Sequence, residues 1–272
     1  MKKILIIFTL ISIVTACSNK RKLFEVSGKI TNTTAKKVYL QYLVWGAERP
    51  IVVDSISLQK DGSFILSTAY GNEESIYELM FDTTASILLI NDNKKVFVNI
   101  DKNNFKSYVV NGSKASNELH DFLNNYSTAY PALVATSIRL DTIQNETPTD
   151  SIVTVVKLEK EQQLQKVNTT ITNAFKSTVS PALRYYLIAK AFATMPINQI
   201  QELSTVAISQ QPSHTGLAFL KSVITKQITI AAEKQKALNQ QKAIELAAQK
   251  RQKDSTGRLD TVRKVVVDSL RK

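Results

Sequence analysis

The sequence predicts an α+β chain: an antiparallel β-sandwich or barrel-like domain at 23–112, a helical region at 113–230 and a basic helical tail at 231–272. Three observations predict it. Between Leu23 and Gly112, short alternating apolar runs are cut by turn residues at the spacing of all-β units. Apolar residues then switch to helical spacing. Last, residues 221–272 hold 13 Lys and Arg against 5 Asp and Glu, in a stretch rich in Ala, Gln, Lys and Glu, which are strong helix formers.

Leu23–Ile30 reads as the first strand. Val38–Val44, Ile51–Leu58, Phe64–Thr68, Ile76–Phe81, Ile87–Ile90, Val96–Ile100 and Tyr108–Val110 follow it, about eight in all. Lys60-Asp61-Gly62-Ser63 is a hairpin signal, because Asp-Gly supplies the positive φ of a tight turn. Trp45-Gly46 falls in a connection, where the indole is expected to cover the open end of the sandwich; stacking on a ligand is the alternative. Asp54, Asp61, Asp82, Asp92 and Asp101 recur near strand ends and read as turn chemistry.

In the helical region Ser116 is the expected N-cap of a first helix carrying Leu119, Phe122, Leu123 and Tyr126. Pro131 interrupts it, and Leu133–Leu140 resume. Asp141–Ser151, polar and containing Pro148, reads as a loop. Val153–Phe175 is the second helix, Pro181 opens a third that ends before Pro196, and Ile197–Ile208 and Leu217–Ile230 add two more. Lys234–Lys253 is helical in composition but sustains no heptad, so no coiled coil is expected. Gly257 reads as a stop. Leu259, Val262, Val266 and Leu270 then form a short basic amphipathic helix, suited to an anionic surface or an envelope protein, or else a solvated tail.

Composition excludes several chemistries. One cysteine cannot form an internal disulfide, a CxxC pair or a thiolate zinc cluster. His120 and His214 lack metal-ligand spacing and read as surface or helix-cap residues. With 7 glycines the chain has no phosphate-cradling loop, and no nucleophile elbow occurs. No cofactor, metal or catalytic residue is therefore expected. Of the net charge of +12, residues 221–272 carry +8, Lys2 and Lys3 carry +2 and the Lys20-Arg21-Lys22 cluster +3, so the body between is −1. Nucleic acid is not an expected partner.

The N-terminus MKKILIIFTLISIVTAC begins with Lys2 and Lys3 and continues with an apolar run from Ile4 to Val14. As a helix that run spans about 16 Å, half a hydrocarbon core, so it reads as a signal peptide and not an anchor. It ends Val14-Thr15-Ala16-Cys17, which resembles the lipobox of bacterial lipoproteins. The resemblance implies cleavage before Cys17, diacylglycerol on its thiol and a palmitate-type acyl chain on its new amine. Residues 1–16 are then the signal peptide and 17–22 a lipidated, basic tether to the membrane; two or three chains anchor stably where one does not. The competing reading is a secretory peptide cut after Ala16, leaving a free thiol. Ser18 after the cysteine resembles lipoproteins sent to the outer membrane. The basic cluster, where surface-exposed lipoproteins of the Bacteroidetes tend to be acidic, favours the periplasmic face over surface exposure.

Val26-Ser27-Gly28-Lys29-Ile30, Val38-Tyr39-Leu40, Asp54-Ser55-Ile56-Ser57-Leu58, Asp61-Gly62-Ser63-Phe64 and the closing Val109-Val110-Asn111-Gly112-Ser113 resemble the β domain called domain of unknown function 4369. That domain occurs on Bacteroidetes envelope lipoproteins, commonly ahead of a thioredoxin-like domain. Here no CxxC follows, and the redox activity is not carried over.

Seven of the eleven aspartates precede Ser or Thr and then Ala, Ile, Leu, Val, Met or Thr. The triplet resembles the O-glycosylation acceptor of Bacteroidetes, and it also suits caps and turns. Thr142, Ser151, Ser255, Thr261 and Ser269, in the expected loop and tail, are the candidate acceptors. Ser55 and Thr83, in or near strands, read as structural. The expectation is a non-catalytic, lipid-anchored envelope protein of the periplasm with a binding or structural role, and not an enzyme. The alternatives are a redox-dead accessory docking on a thioredoxin-like oxidoreductase, and an enzyme with an unrecognised site, such as a hydrolase using acidic residues.

Overall fold

The computed structural model describes residues 23–82, 85–145 and 150–270, with side-chain placement over 23–81, 85–145 and 151–249. The expected signal peptide, Cys17, the basic tether and Thr83 lie outside the described residues. Among these no helix is long and apolar enough to cross a membrane.

Eight strands form: β1 (Leu23–Thr31), β2 (Lys37–Tyr42), β3 (Ile51–Ser57), β4 (Ser63–Ala69), β5 (Ile76–Asp82), β6 (Ala85–Ile90), β7 (Lys95–Asp101) and β8 (Val109–Asn111). They build two four-stranded sheets, ordered β4-β1-β7-β8 and β3-β2-β5-β6. Period-two alternation decides which side chains turn inward. In β7, Val96, Val98 and Ile100 are buried while their neighbours are exposed. They meet Phe24, Val26, Leu40, Leu66, Leu79, Phe81 and Leu89 in a core between the sheets. Each such side chain contributes roughly 1.5–3 kcal/mol by leaving water.

Two expectations about the sheets need correction. The domain is not wholly antiparallel, because β1 and β7 pair in parallel. That pairing needs Gly28: opposite Val98, a Cβ at this position would stand 2.0 Å from the Val98 carbonyl oxygen. The Asp61-Gly62 turn forms, with Gly62 at φ +83°, yet the strands it joins enter different sheets. The Gly62 carbonyl accepts the Ile30 amide at 3.0 Å and draws β4 into a ladder with β1. The β3 and β4 edges stay joined through Asp54, whose carboxylate accepts the Ser67 amide at 2.7 Å.

The other seam, between β6 and β8, is closed by a helix. Helices run as α1 (Lys114–Asn145), α2 (Asp150–Ser177), α3 (Pro181–Ala191), α4 (Ile197–Gln210) and α5 (Thr215–Leu270). Ser113, not the expected Ser116, caps α1 by accepting the Ser116 amide at 3.0 Å. Ser116 is spent on the seam: its hydroxyl takes the Ile90 amide at 2.8 Å, and Asn117 donates to the Val110 carbonyl at 2.9 Å. Pro131 does not interrupt α1, because the buried Ala129 and Leu133 on either side hold the helix against its neighbours. The expected loop at Asp141–Ser151 is largely helical, since α1 continues to Asn145 and α2 starts at Asp150.

Leu119, Phe122, Val167, Ile171, Phe175, Leu183, Leu187, Ile200, Leu217 and Ile224 form a second core, continuous with Ile76 and Ile90 of the sheet. Pro181 opens α3 as expected, with Ser180 as N-cap accepting the Leu183 amide at 3.2 Å. Arg184 is buried over the Phe175 ring and donates to the Thr178 carbonyl at 2.8 Å and to Gln210. Helix α5 is unbroken from Thr215 to Leu270, running through the expected helix end at Ile230 and the expected stop at Gly257. One glycine costs a helix only about 1 kcal/mol, and the flanking helix formers carry through it. From Ala231 to Gln249 every residue of α5 is exposed.

Candidate functional site

The residues richest in reactive groups meet where the β4–β5 loop touches the starts of the helices. Asn91, fully buried, shapes that loop by accepting the Ser75 amide at 2.5 Å and donating to the Glu73 carbonyl at 3.4 Å. Glu73 and Glu74 are thereby turned toward the helical region.

Glu73 accepts the Thr215 amide at 2.8 Å, the Thr215 hydroxyl, and the Trp45 indole N–H at 3.3 Å. It caps α5. Glu74 accepts the Ser180 hydroxyl and the Ala182 amide, and so caps α3. Asp92 accepts the Ala115 amide at 2.9 Å and caps α1. Three carboxylates from one end of the β region thus satisfy orphan amides at three helix N-termini, where the helix dipole also favours negative charge.

The two glutamates differ in proton affinity. Burial pushes the Glu73 carboxyl up, but the Thr215 hydroxyl and amide and the Trp45 indole more than offset it, and the group titrates below its ordinary value of 4.5. For Glu74 burial dominates, opposed by Ser180 and reinforced by the charge of nearby Asp92, and it titrates above 4.5.

His214 is buried at 4 % exposure, contrary to a surface position but in keeping with a cap. Its Nδ1 accepts the Leu217 amide at 3.2 Å, and Nε2 lies 2.9 Å from the Glu74 carbonyl. An amide can only donate and a carbonyl only accept, so the ring is neutral with its proton on Nε2. Trp45 does not cover the sandwich end. It packs on Tyr185 and His214, with ring centroids 4.4 and 5.3 Å apart, because the helical core reaches further than the sheet core at that point. His120 binds the Lys106 carbonyl at 2.9 Å and packs on Tyr108.

Asn72, Glu73, Glu74, Pro181, Gln211, Ser213, His214 and Thr215 line a cavity of about 570 Å³ at this junction. Of its polar groups, Glu73, Glu74, His214 and Thr215 are already partnered. Among the described residues no group of three His, Cys, Asp or Glu could hold a metal ion. Asp54, Asp61 and Asp101 do turn and strand chemistry: Asp61 accepts the Ser63 amide at 3.1 Å, and Asp101 the Asn103 amide at 3.0 Å.

Of the residues singled out in the sequence, His214, Trp45 and Asp92 meet at this junction, but the candidate acceptors Thr142 and Ser151 do not line it. Thr142 is exposed on α1, with its hydroxyl donating to the Ile138 carbonyl at 3.0 Å, in a helix and not in the expected loop. Ser151 is exposed in the first turn of α2. Ser255, Thr261 and Ser269 fall on α5, their side chains outside the described residues. Sequence reasoning missed Glu73, Glu74 and Asn91. A Glu-Glu pair between two strands carries no periodic signal, and its partners lie 142 and 106 residues away.

Comparison with curated proteins and with solved structures finds no match for the chain. A family model does match. Its span runs from the first core residue of β1 to Leu119, so it includes the turn of α1 that seals the β6–β8 seam. Residues 24–119 therefore carry the domain described as Domain of unknown function (DUF4369).

Proposed function

We propose that the chain is a non-catalytic, lipid-anchored protein of the cell envelope, held at the periplasmic face of the outer membrane through Cys17. Its role is to bind or to scaffold. The observation that carries this reading is the commitment of its reactive side chains: Glu73, Glu74 and Asp92 cap three helices, and both nitrogens of His214 are occupied. Groups engaged in this way fasten the helical region to the β region and are not free to move protons for a substrate. Beside this, the sequence supplies a short apolar leader that ends at the chain's one cysteine. The test is mass spectrometry and membrane partition of the native protein and of Cys17→Ser. Lipid mass on Cys17 and release of the variant into the soluble fraction are expected. An unlipidated native chain, or a variant that stays with the membrane, overturns the anchor. The exposed Thr142 and Ser151 are proposed as glycan acceptors, and the same mass measurement decides between them and the bare polypeptide.

A second reading has one observation in its favour. Glu74, with its raised proton affinity, stands in a cavity with a second carboxylate and a histidine, as a general acid does in a hydrolase. Hydrolysis of a chromogenic ester or glycoside that disappears in Glu74→Gln while the fold persists would establish it over the scaffold.

A further inference from the structure

At the end of β1 away from Leu23, the loop at 32–36 and the turn at 57–62 enclose an open cleft of about 690 Å³. Backbone bonds fix both walls: the Leu58 amide donates to the Lys36 carbonyl at 2.9 Å, and the Ile30 amide to the Gly62 carbonyl at 3.0 Å. Lys29, Lys36 and Lys60 line it, with Asp61 as the one acid. One Asp61 oxygen is taken by the Ser63 amide and hydroxyl, and the other is 3.9 Å from the Lys29 ammonium. Lys36 and Lys60 are exposed, with no carboxylate in ion-pair range among the described residues. Thr33 uses its oxygen to accept the Ala35 amide at 3.0 Å and keeps its hydroxyl proton for another acceptor.

This concentration of cations is local. Residues 23–112 hold nine Lys and Arg against ten Asp and Glu, and three of those acids are spent at the opposite end as helix caps. At the free end of β1 the cleft gathers three lysines against Asp61, while Asp101, beside Thr31, accepts the Asn32 amide group at 2.7 Å. Concave low-dielectric walls lined by one sign of charge focus the field and raise the local concentration of counter-ions. Lysine ammonium groups act there as mobile point charges, suited to phosphate oxygens without demanding one fixed geometry.

We propose that this cleft binds a small, multiply charged phosphate oxyanion. Strand β1 has nine residues, at about 3.3 Å each, and separates the cleft from Leu23, where the chain continues toward Cys17. On the proposed anchor through Cys17, on which this choice of occupant rests, the bilayer lies toward the Leu23 end, so the occupant is a soluble anion and not a lipid headgroup.

The test is titration of the full chain in neutral detergent with tripolyphosphate, followed by calorimetry at low and at physiological salt. A Lys36→Gln/Lys60→Gln pair is compared with Lys94→Gln/Lys95→Gln, which removes equal charge from the Leu23 end; circular dichroism verifies both folds. Saturable, salt-weakened binding is expected, reduced about tenfold by the cleft pair and left within about twofold by the control pair. Absent binding overturns the proposal, as does equal weakening by both pairs, which would report net charge alone. A parallel arm uses vesicles containing anionic phosphatidylglycerol. Vesicle binding that depends on Lys36 and Lys60 would assign the cleft to headgroups and overturn the soluble occupant. None of these outcomes depends on lipidation of Cys17.

Discussion

The β region and the helical region are both well packed, but they close their ends differently. The sheets satisfy their own backbone through ladders, and their seams are sealed by Asp54 on one side and by Ser116 with Asn117 on the other. The N-termini of α1, α3 and α5 are capped twice, locally by Ser113, Ser180 and His214 and from the β region by Asp92, Glu74 and Glu73. Apart from Ser116 and Asn117, which α1 lends to the seam, the partners that cross the junction as caps come from the β region. The β region is thus the foundation, and the helical region is ordered upon it.

The strongest way to break this comparison is to damage each core in turn. Phe24 is fully buried and packs on Tyr77 with ring centroids 4.9 Å apart. Phe24→Ala should cost about 3–5 kcal/mol and remove both the sheet and the helical circular dichroism signals, since the caps go with the sheet. Leu183→Ala, in the helical core, should cost about 2–5 kcal/mol but lower the helical midpoint ahead of the sheet one. Trp45 fluorescence, at the junction, should follow the helices. Coincident melting of both signals in Leu183→Ala would make the two regions a single cooperative unit and remove the asymmetry.

Smaller perturbations sharpen the same point. Glu73→Gln removes the charged cap of α5 and should cost about 0.5–2 kcal/mol without disturbing the sheet. The pH response carries opposite signs at the two glutamates. Glu73 titrates below 4.5 in the fold, so its contribution is present above that value and is lost as pH falls through its depressed pKa. Glu74 titrates above 4.5, so its ionised form burdens the fold at neutral pH; stability is gained as pH falls through the raised pKa and the gain is complete below 4.5. Denaturant midpoints against pH should therefore lose their acid-side fall in Glu73→Gln and their mildly acidic gain in Glu74→Gln. Parallel curves for the two variants would dissolve the assignment.

What the sequence could express followed from the range of each signal. Strand positions were legible because alternation is local: the inward rows of β1 and β7 can be read within seven residues. Their pairing was not, because a parallel β1–β7 ladder depends on Gly28 meeting Val98 across some seventy residues of chain. Helix boundaries failed wherever a local breaker was outweighed, as at Pro131, where the burial of Ala129 and Leu133 prevails, and at Gly257, where neighbouring helix formers do. The junction was the least legible part. A carboxylate that caps a distant helix looks, in sequence, like any polar loop residue.

The weakest effect is expected where α5 leaves the body. Its first turns are held by Leu217, Leu220 and Ile224, all buried, and Ile228 is the last residue to pack on the helical core. Beyond it the helix has no tertiary partner among the described residues with placed side chains, and its order rests on propensity and on i,i+4 contacts such as Gln235 to Asn239 at 2.9 Å. Such pairs contribute only about 0.2–0.5 kcal/mol each, and an isolated helix of this composition is marginal in water. Deleting residues 231–272 should therefore leave the thermal midpoint within about 2 °C of the full chain while shortening the particle markedly in small-angle scattering. A fall of many degrees would mean that this segment folds back onto the body, and would place part of the foundation of the helical region in the tail instead of in the sheet.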